Sequence, residues 1–342
     1  LLLEQEQKFI KGLVANGMSI DKAKQLWEWV IPFARYGFNK AHAISYARVA
    51  YQNAWLKVYY PIIFMASLLT SDYGDLDRVA IEVRECKRMG IKVLPPNVNY
   101  SFPEFGVSKN NEIYFALSAI KNVGDNVAQA IAEERKQNGQ YKSLEDFLTR
   151  LPQGVINKKS LESLIKAGAL DDFGDRIVLF NSLDKLLDFN IKKHNEANNK
   201  QSGLFASEIV DKIAFVMPSN NNKTESLEQK NLKLQWEKEL LGLYISDHPL
   251  NHLGKVKQMS NVVSQINPLT MLGKTIRVCG IVGNTRKILT KNGEVMYFSK
   301  LSDANKEIEM VIFPKTLKNI EKNGGASIAD NKVIIATGRL DR

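Results

Sequence analysis

The chain has 342 residues, of which 44% are hydrophobic and 25% are charged, and these proportions exclude a fibrous or wholly disordered protein. Lys and Arg number 47 against 37 Asp and Glu, so the formal net charge is +10, which favours a polyanionic partner. The longest apolar stretch, residues 59–69, contains Pro61 and is too short to cross a bilayer. The length indicates two or three domains at roughly 150 residues each.

The first residues and the cysteines indicate in which cellular compartment the protein is expected. It begins with Leu1, Leu2 and Leu3 followed at once by acidic and amide residues, which does not fit a signal peptide. We therefore expect a piece of a longer protein. Cys86 and Cys279 are far apart and neither has a CxxC partner, so we expect a reducing compartment and a cytoplasmic location.

The first third reads as helices. Residues 1–30 predict two helices separated near Gly17, a loop follows from Pro32 to Lys40, and three more helices are predicted over 41–59, 62–69 and 76–89. No acidic residue lies between Trp29 and Ser71. A solvated helix face usually carries both signs of charge, so this stretch favours contact with an anion.

The rest of the chain alternates in character. Short strands are predicted on both sides of a turn at 109–111, and helices from 117 to about 187. Residues 192–226 are polar and rich in Asn, which indicates a linker, and a helix follows to about 241.

The last seventy residues or so are rich in strand signals. Strands are predicted at 275–288, 294–303, 306–313 and 332–340, with a hairpin turn at Lys291-Asn292-Gly293. Three meandering strands, a short helical patch over 315–321 and a fourth strand fit an OB-fold that lacks its fifth strand.

The segment from Leu117 to Ile131 resembles a helix-hairpin-helix. Gly124 would permit a tight turn with positive φ, and the free amides that begin the second helix could then bind a phosphate of the DNA backbone. Asp125 or Asn126 could cap that helix, and Lys121 adds charge beside Val123 and Gly124. The alternative is a plain corner between two helices. A weaker second copy is predicted around 157–170.

Two further patterns have competing interpretations. Gln201-Ser202-Gly203-Leu204-Phe205 could dock in an apolar groove of a partner, or Leu204 and Phe205 could pack on their own domain. Asp75 and Asp77 could bind metal ions, but their place at a helix start favours capping. His248 and His252 are four residues apart, yet Pro249 interrupts a helix there, so we predict no metal site.

Together these segments resemble the C-family replicative DNA polymerases, the alpha subunits of bacterial DNA polymerase III. The resemblance rests on Tyr36–Tyr46 with Tyr51–Lys57, on Gly90–Asn97, on the hairpin around Gly124, on residues 157–169, and on Glu239–Leu250, and it covers nearly the whole chain in one order. It implies a mostly α, multidomain fold: the C-terminal part of the fingers over 1–110, a clamp-binding domain with tandem helix-hairpin-helix motifs over 111–260, and a truncated all-β OB-fold over 261–342.

The resemblance also implies roles for individual residues. Duplex backbone contacts are assigned to the hairpin (Lys121, Val123, Gly124), and sliding-clamp binding to Gln201, Leu204 and Phe205. The fingers would face the nucleotide and template through Arg35, Lys40, His42 and Arg48, although helix packing is the alternative for His42 and Tyr46. Single-stranded template would bind the OB-fold through Arg277, Arg286, Lys287 and Lys291, with Tyr297 and Phe298 either stacking on bases or buried.

The family adds nucleotides to a primed template with two metal ions. No catalytic residue is assigned within this chain and no cofactor is expected in it, because Mg²⁺ would bind in the palm of the intact polymerase. We expect DNA, the sliding clamp and other holoenzyme subunits as partners, no membrane contact, and no polymerase activity from this chain alone. Two alternatives remain open: an error-prone relative of the same subunit, and a stand-alone adaptor with a helix-hairpin-helix and an OB-fold.

Overall fold

A computed structural model describes residues 2–36, 40–198, 225–252, 260–322 and 328–341. The chain divides into two compact units, Leu1–Pro61 and Ile62–Arg342.

The first unit consists of helices, and its hairpin of two helices closes at Gly17 in the left-handed region at φ 89°. Ala23 and Trp27 are buried, and the Trp27 ring lies 5.4 Å from the ring of Phe9. The predicted loop from Pro32 is wrong, because the helix continues through Pro32. Proline fixes φ near the helical value, so the helix loses one hydrogen bond without ending. The helices are α1 (Leu2–Ala15), α2 (Ile20–Tyr36) and α3 (Lys40–Tyr59).

Helix α3 is unusual in that none of its residues is buried. The predicted helix over 41–59 is confirmed. Its apolar residues do not form a covered face, however: Tyr51 and Val58 are each 71% exposed and Trp55 is 42% exposed. Helical spacing alone does not show what an apolar stripe contacts.

The second unit begins with a helical region around one hydrophobic core, whose buried residues extend from Met65 to Leu241 and include Phe115, Phe147 and Leu161. The core includes residues on both sides of position 110, and the predicted domain boundaries stay a prediction. Within the described residues, no helix has the length and apolar character needed to cross a membrane. The helices are α4 (Pro61–Ser71), α5 (Leu76–Arg88), α6 (Asp125–Asn138), α7 (Leu144–Arg150), α8 (Lys158–Lys166), α9 (Arg176–Asn181), α10 (Leu183–Asn198) and α11 (Leu227–Leu241).

A small sheet interrupts the helices after α5. The predicted hairpin around 109–111 is confirmed, and Asn111 takes positive φ (60°) in its turn. The strands are β1 (Val93–Leu94), β2 (Gly106–Val107) and β3 (Ile113–Tyr114), in the order β1-β3-β2 with β1 parallel to β3.

A buried ion-pair network holds α9 against α11. The guanidinium of Arg176 contacts Asp171 and donates to Glu237 Oε1 at 2.8 Å, and the Glu237 side chain is fully buried. The other oxygen of Glu237 accepts the amides of Ile245 and Ser246 at 2.9 and 3.1 Å. Because every oxygen of this buried carboxylate has a donor, the network fixes the path of the chain after α11.

The last part of the chain is a sheet, as predicted. The strand order is β4-β5-β6-β7, and β8 pairs with the other edge of β5, so the central strand β5 contacts both its hairpin partner and the last strand. This pairing matches the predicted partial OB-fold. The elements are β4 (Asn261–Val262), α12 (Pro268–Met271), β5 (Thr275–Leu289), β6 (Val295–Ser302), β7 (Glu307–Ile312), α13 (Pro314–Lys322) and β8 (Val333–Arg339).

A bulge in β5 changes which side chains share a face of this sheet. Gly283 pairs with Lys300 but Arg286 pairs with Phe298, so β5 has one extra residue between these pairs, and Asn284 has positive φ (52°). The simple alternation of side chains along β5 is therefore shifted by one residue beyond the bulge.

Candidate nucleic-acid interface

The turn before α6 is the predicted hairpin, but its geometry differs from the expectation. Residues 117–122 form hydrogen-bonded turns rather than a regular helix, with Ile120 N donating to Leu117 O and Val123 N to Ile120 O. The positive φ falls on Asn122 (69°) and not on Gly124 (−76°). Asn tolerates this conformation because its short polar side chain makes local hydrogen bonds. The role assigned to Gly124 in the turn was therefore wrong.

Two contacts fix the turn against neighbouring helices. The amide of Lys121 donates to Leu240 O of α11 at 3.0 Å, and the Asn122 amide group donates to Ser163 Oγ of α8 at 3.2 Å. Val123 is buried in the core while the side chain of Lys121 is exposed. The turn is thus held from both sides with its basic side chain in solvent.

The first turn of α6 is open. Gly124 is the N-cap and gives no side-chain cap, so the predicted capping by Asp125 or Asn126 is wrong. A glycine cap leaves the first helical amides accessible, which is the arrangement that suits an anion. Tyr73 Oη lies 3.3 and 3.4 Å from the carboxylate oxygens of Asp125, and the negative charge of Asp125 raises the pKa of Tyr73. No sequence pattern pointed to Tyr73.

The predicted second copy begins at α8. Asn157 and Ser160 form a capping box, so these side chains already satisfy the start of the helix. Lys158 pairs with Asp184 at 2.6 Å, whereas Lys166 contacts Glu162 and lies 4.4 Å from the Phe180 ring. The lysines of α8 are therefore partly committed to contacts within the protein.

The residues assigned to nucleotide and template lie on two helices of the first unit. Arg35 is in α2. Lys40 and Arg48 are exposed on α3, two turns apart. The His42 ring lies 4.3 Å from the Tyr46 ring, and Tyr46 is 65% exposed. His42 and Tyr46 thus contact each other on a helix with no buried residue.

The four basic residues assigned to single-stranded template do not share one face of the sheet. With the bulge included, the pairings place Arg277 and Arg286 on the same face as Phe298, and Lys287 on the opposite face with Tyr297. The face of Tyr297 carries the core residues Val278, Val282 and Leu301. Lys291 lies in the turn between β5 and β6.

The remaining residues singled out from the sequence are an acidic pair, a histidine pair and the clamp-binding segment. Asp75 is the N-cap of α5, and its carboxylate accepts the amides of Asp77 and Arg78 at 3.1 and 3.2 Å, which confirms the capping interpretation. His252 Nε2 lies 2.8 Å from Asp247 Oδ2. The clamp-binding candidates Gln201, Leu204 and Phe205 lie outside the described residues.

Comparison with known protein families first identifies the class of motif in this region. A family model described as a helix-hairpin-helix motif matches residues 90–177. This range contains α6, α7 and α8 and places the region in a class of motif that binds nucleic acid.

The relatives are more specific. The chain is 38% identical to DNA polymerase III subunit alpha of Thermus aquaticus over 321 residues. The aligned region covers 93% of this chain and 26% of that protein. The chain is 36% identical over 343 residues to the same subunit of Borreliella burgdorferi (98% and 29%) and 35% identical over 324 residues to that of Bacillus subtilis (93% and 28%). The chain is therefore homologous, over nearly its whole length, to part of the alpha subunit of bacterial DNA polymerase III. It spans under a third of the length of these relatives.

Proposed function

We propose that this chain forms the part of a bacterial replicative DNA polymerase that binds primer–template DNA. The observation that carries the proposal is the similarity to alpha subunits, which extends over 93–98% of the chain in these relatives. A stand-alone adaptor would share the hairpin and the sheet with such enzymes, but it would not need the helices of the first unit.

The hairpin is proposed to bind the backbone of duplex DNA. The exposed Lys121 supplies charge, and Gly124 leaves the amides at the start of α6 open. Contacts of this kind neutralise phosphates without reading sequence, so the binding would be general for duplex DNA.

Helix α3 is proposed to face the nucleotide and template. Lys40 and Arg48 are exposed on it, no acidic residue occurs from 29 to 71, and exposed aromatic rings lie on the same helix. Cationic side chains suit phosphates and aromatic rings suit bases. Arg35 and His42 are proposed to assist.

The sheet is proposed to bind single-stranded template on the face that carries Arg277, Arg286 and Phe298, where the Phe298 ring of β6 lies directly opposite Arg286 of β5. Lys287 and Lys291 would contact the strand where it passes around the β5–β6 hairpin.

Clamp binding is proposed for Gln201, Leu204 and Phe205, because two large apolar residues in a polar segment favour burial on a partner.

We further propose that nucleotide addition takes place in the intact polymerase with Mg²⁺. This chain alone is proposed not to extend a primer.

DNA binding is tested by fluorescence anisotropy with a labelled primer–template over a series of salt concentrations. We expect affinity to fall steeply with salt. Lys121→Ala should make the negative slope of log affinity against log salt shallower by about 1. Lys136 is an exposed lysine near the other end of α6, and Lys136→Ala should leave the slope unchanged. DNA binding whose affinity does not depend on salt concentration, or no binding at low salt, would refute the DNA-binding proposal.

The proposal that this chain alone is inactive is tested by single-turnover primer extension. Extension of the primer by the chain would refute it.

Clamp binding is tested with the sliding clamp of the same organism and the double variant Leu204→Ala/Phe205→Ala. The matched control is Ile191→Ala/Leu227→Ala, whose residues are each 54% exposed on α10 and α11. Loss of binding in the first variant only would support the proposal. Absence of clamp binding by the unmodified chain would favour the error-prone relative or the adaptor.

A further inference from the structure

A cleft of about 840 Å³ lies in the second unit, where α5 and the segment after α11 meet the β5–β6 part of the sheet. Its volume falls within the range of small-molecule sites, roughly 300–1,000 Å³. None of the proposed DNA or clamp contacts uses it.

The cleft contains a largely buried lysine. Lys238 of α11 lines it and donates to Gly242 O at 2.7 Å. It forms no ion pair with the residues that the structure describes, and burial lowers its pKa. Taking an ammonium group out of water is costly without an opposite charge, so an anion in the cleft would stabilise its charged form.

The carboxylate of Glu307, which also lines the cleft, interacts with three cations. Glu307 accepts from Lys300 at 2.8 Å, Arg84 of α5 approaches it only to 4.0 Å, and all three cations lower its pKa. Glu307 therefore interacts with three cations, and Asp77 is the other carboxylate whose charge acts on Lys238.

Other carboxylates that line the cleft accept hydrogen bonds from the protein itself. Asp303 accepts the amides of Asn305 and Lys306, Asp330 accepts the amide of Thr285 at 3.0 Å, and Asp247 contacts His252. Asp77 also lines the cleft, and its charge acts on Lys238 from beyond ion-pair distance.

We propose that this cleft binds a phosphate group of a nucleotide or nucleic-acid strand through Lys238, Arg84 and Lys300. A phosphate accepts hydrogen bonds from several cations at once, which matches donors that come from α5, α11 and β6. The apolar side chains Ile245 and Ile281 also line the cleft, and they offer a surface for a base or sugar attached to the phosphate.

The proposal is tested on the whole chain by lysine footprinting. Lys300 lies on the same face of the sheet as Phe298, so the Arg84 variants below separate protection in the cleft from protection by DNA at the proposed template site. Lys300 is 48% exposed and serves as the reporter, and the exposed Lys142 serves as the reference. Acetylation rates are measured by mass spectrometry with a dT12 oligonucleotide, dTMP, inorganic phosphate or hexaglutamate. We expect a phosphate ligand to slow acetylation of Lys300 at least fivefold and to leave Lys142 unchanged.

Variants on one helix provide the control. Arg84→Ala should abolish the protection of Lys300, whereas Arg88→Ala, four residues later on α5 and outside the cleft, should preserve it. Arg84→Lys should restore part of it, which separates lost charge from a damaged fold.

Protection by dT12 alone would assign the site to a nucleic-acid backbone, and protection by dTMP or phosphate as well would assign it to free nucleotides. Both outcomes support a phosphate site. Protection by hexaglutamate only, protection that persists in Arg84→Ala, or no protection by any probe would overturn the proposal.

Discussion

Glu82 is an acidic residue buried in the helical core, and its ionisation should destabilise the fold. It lies on α5 with 7% of its surface exposed and faces Asp72, whose carboxylate contacts Arg78 Nε at 2.7 Å. Burial, and then the hydrogen bond to Asp72 and its negative charge, raise the pKa of Glu82 to about 7, although Arg78 opposes the shift. The folded state therefore holds a proton that the unfolded chain releases near pH 4.5.

The magnitude follows from the difference between these two pKa values. The stabilising effect of the proton is fully present below pH 4.5 and is lost progressively as the pH rises from 4.5 to about 7, because the unfolded chain then releases its proton while the folded state must keep it or bury a charge. One pKa unit corresponds to 1.36 kcal/mol, so the loss reaches about 3 kcal/mol at pH 8 and stays below about 1 kcal/mol at pH 5.

Glu82→Gln removes the ionisation and keeps a donor toward Asp72. We expect this variant to exceed the unmodified chain in unfolding free energy by up to about 3 kcal/mol at pH 8, and to match it within about 1 kcal/mol at pH 5. Urea denaturation followed by far-UV circular dichroism at both pH values measures this. Glu133→Gln, an exposed site on α6, is the control and should show no such difference. A variant that is equally stable or less stable than the unmodified chain at pH 8 would refute the reasoning.

Two more substitutions test local geometry. Gly168→Ala should lower the unfolding free energy by about 2 to 4 kcal/mol, because φ is +85° and the new Cβ would lie 2.2 Å from Arg176 Nη2. Gly154→Ala has a similar φ and open space around it, so urea denaturation should show a loss of only about 1 kcal/mol; equal losses would contradict the clash. Asp75→Ala should cost about 1 kcal/mol through the lost helix cap, whereas Asp75→Asn should retain most of the stability. A thermal melt in which both variants behave alike would contradict the capping role.

Local patterns predicted the elements well. Asp75 at a helix start and the Asn-Gly turn before β6 each carry a short-range signal, because capping and hairpin turns depend on a few adjacent residues. The small hairpin around Asn111 was predicted for the same reason.

The features that the sequence did not predict depend on contacts between residues far apart in the sequence. Asn122 rather than Gly124 takes the positive φ, and its side chain is held by Ser163 of α8. The raised pKa of Glu82 requires the fold that places it beside Asp72, and the grouping of three cations around Glu307 requires α5, α11 and β6 together. None of these partners can be identified from spacing along the chain.

The bulge at Asn284 determines which side chains in the outer half of β5 face the core. If the bulge were straightened with its extra residue kept, the outer half of β5 would slip by one residue against β6, so that Arg286 would turn toward the core side and Lys287 away from it. Deleting the extra residue would instead restore regular pairing and leave both side chains on their present faces. The extra residue thus lets Arg286 share a face with Arg277 although their numbers differ in parity, while the inner half of the strand keeps its pairing with β8.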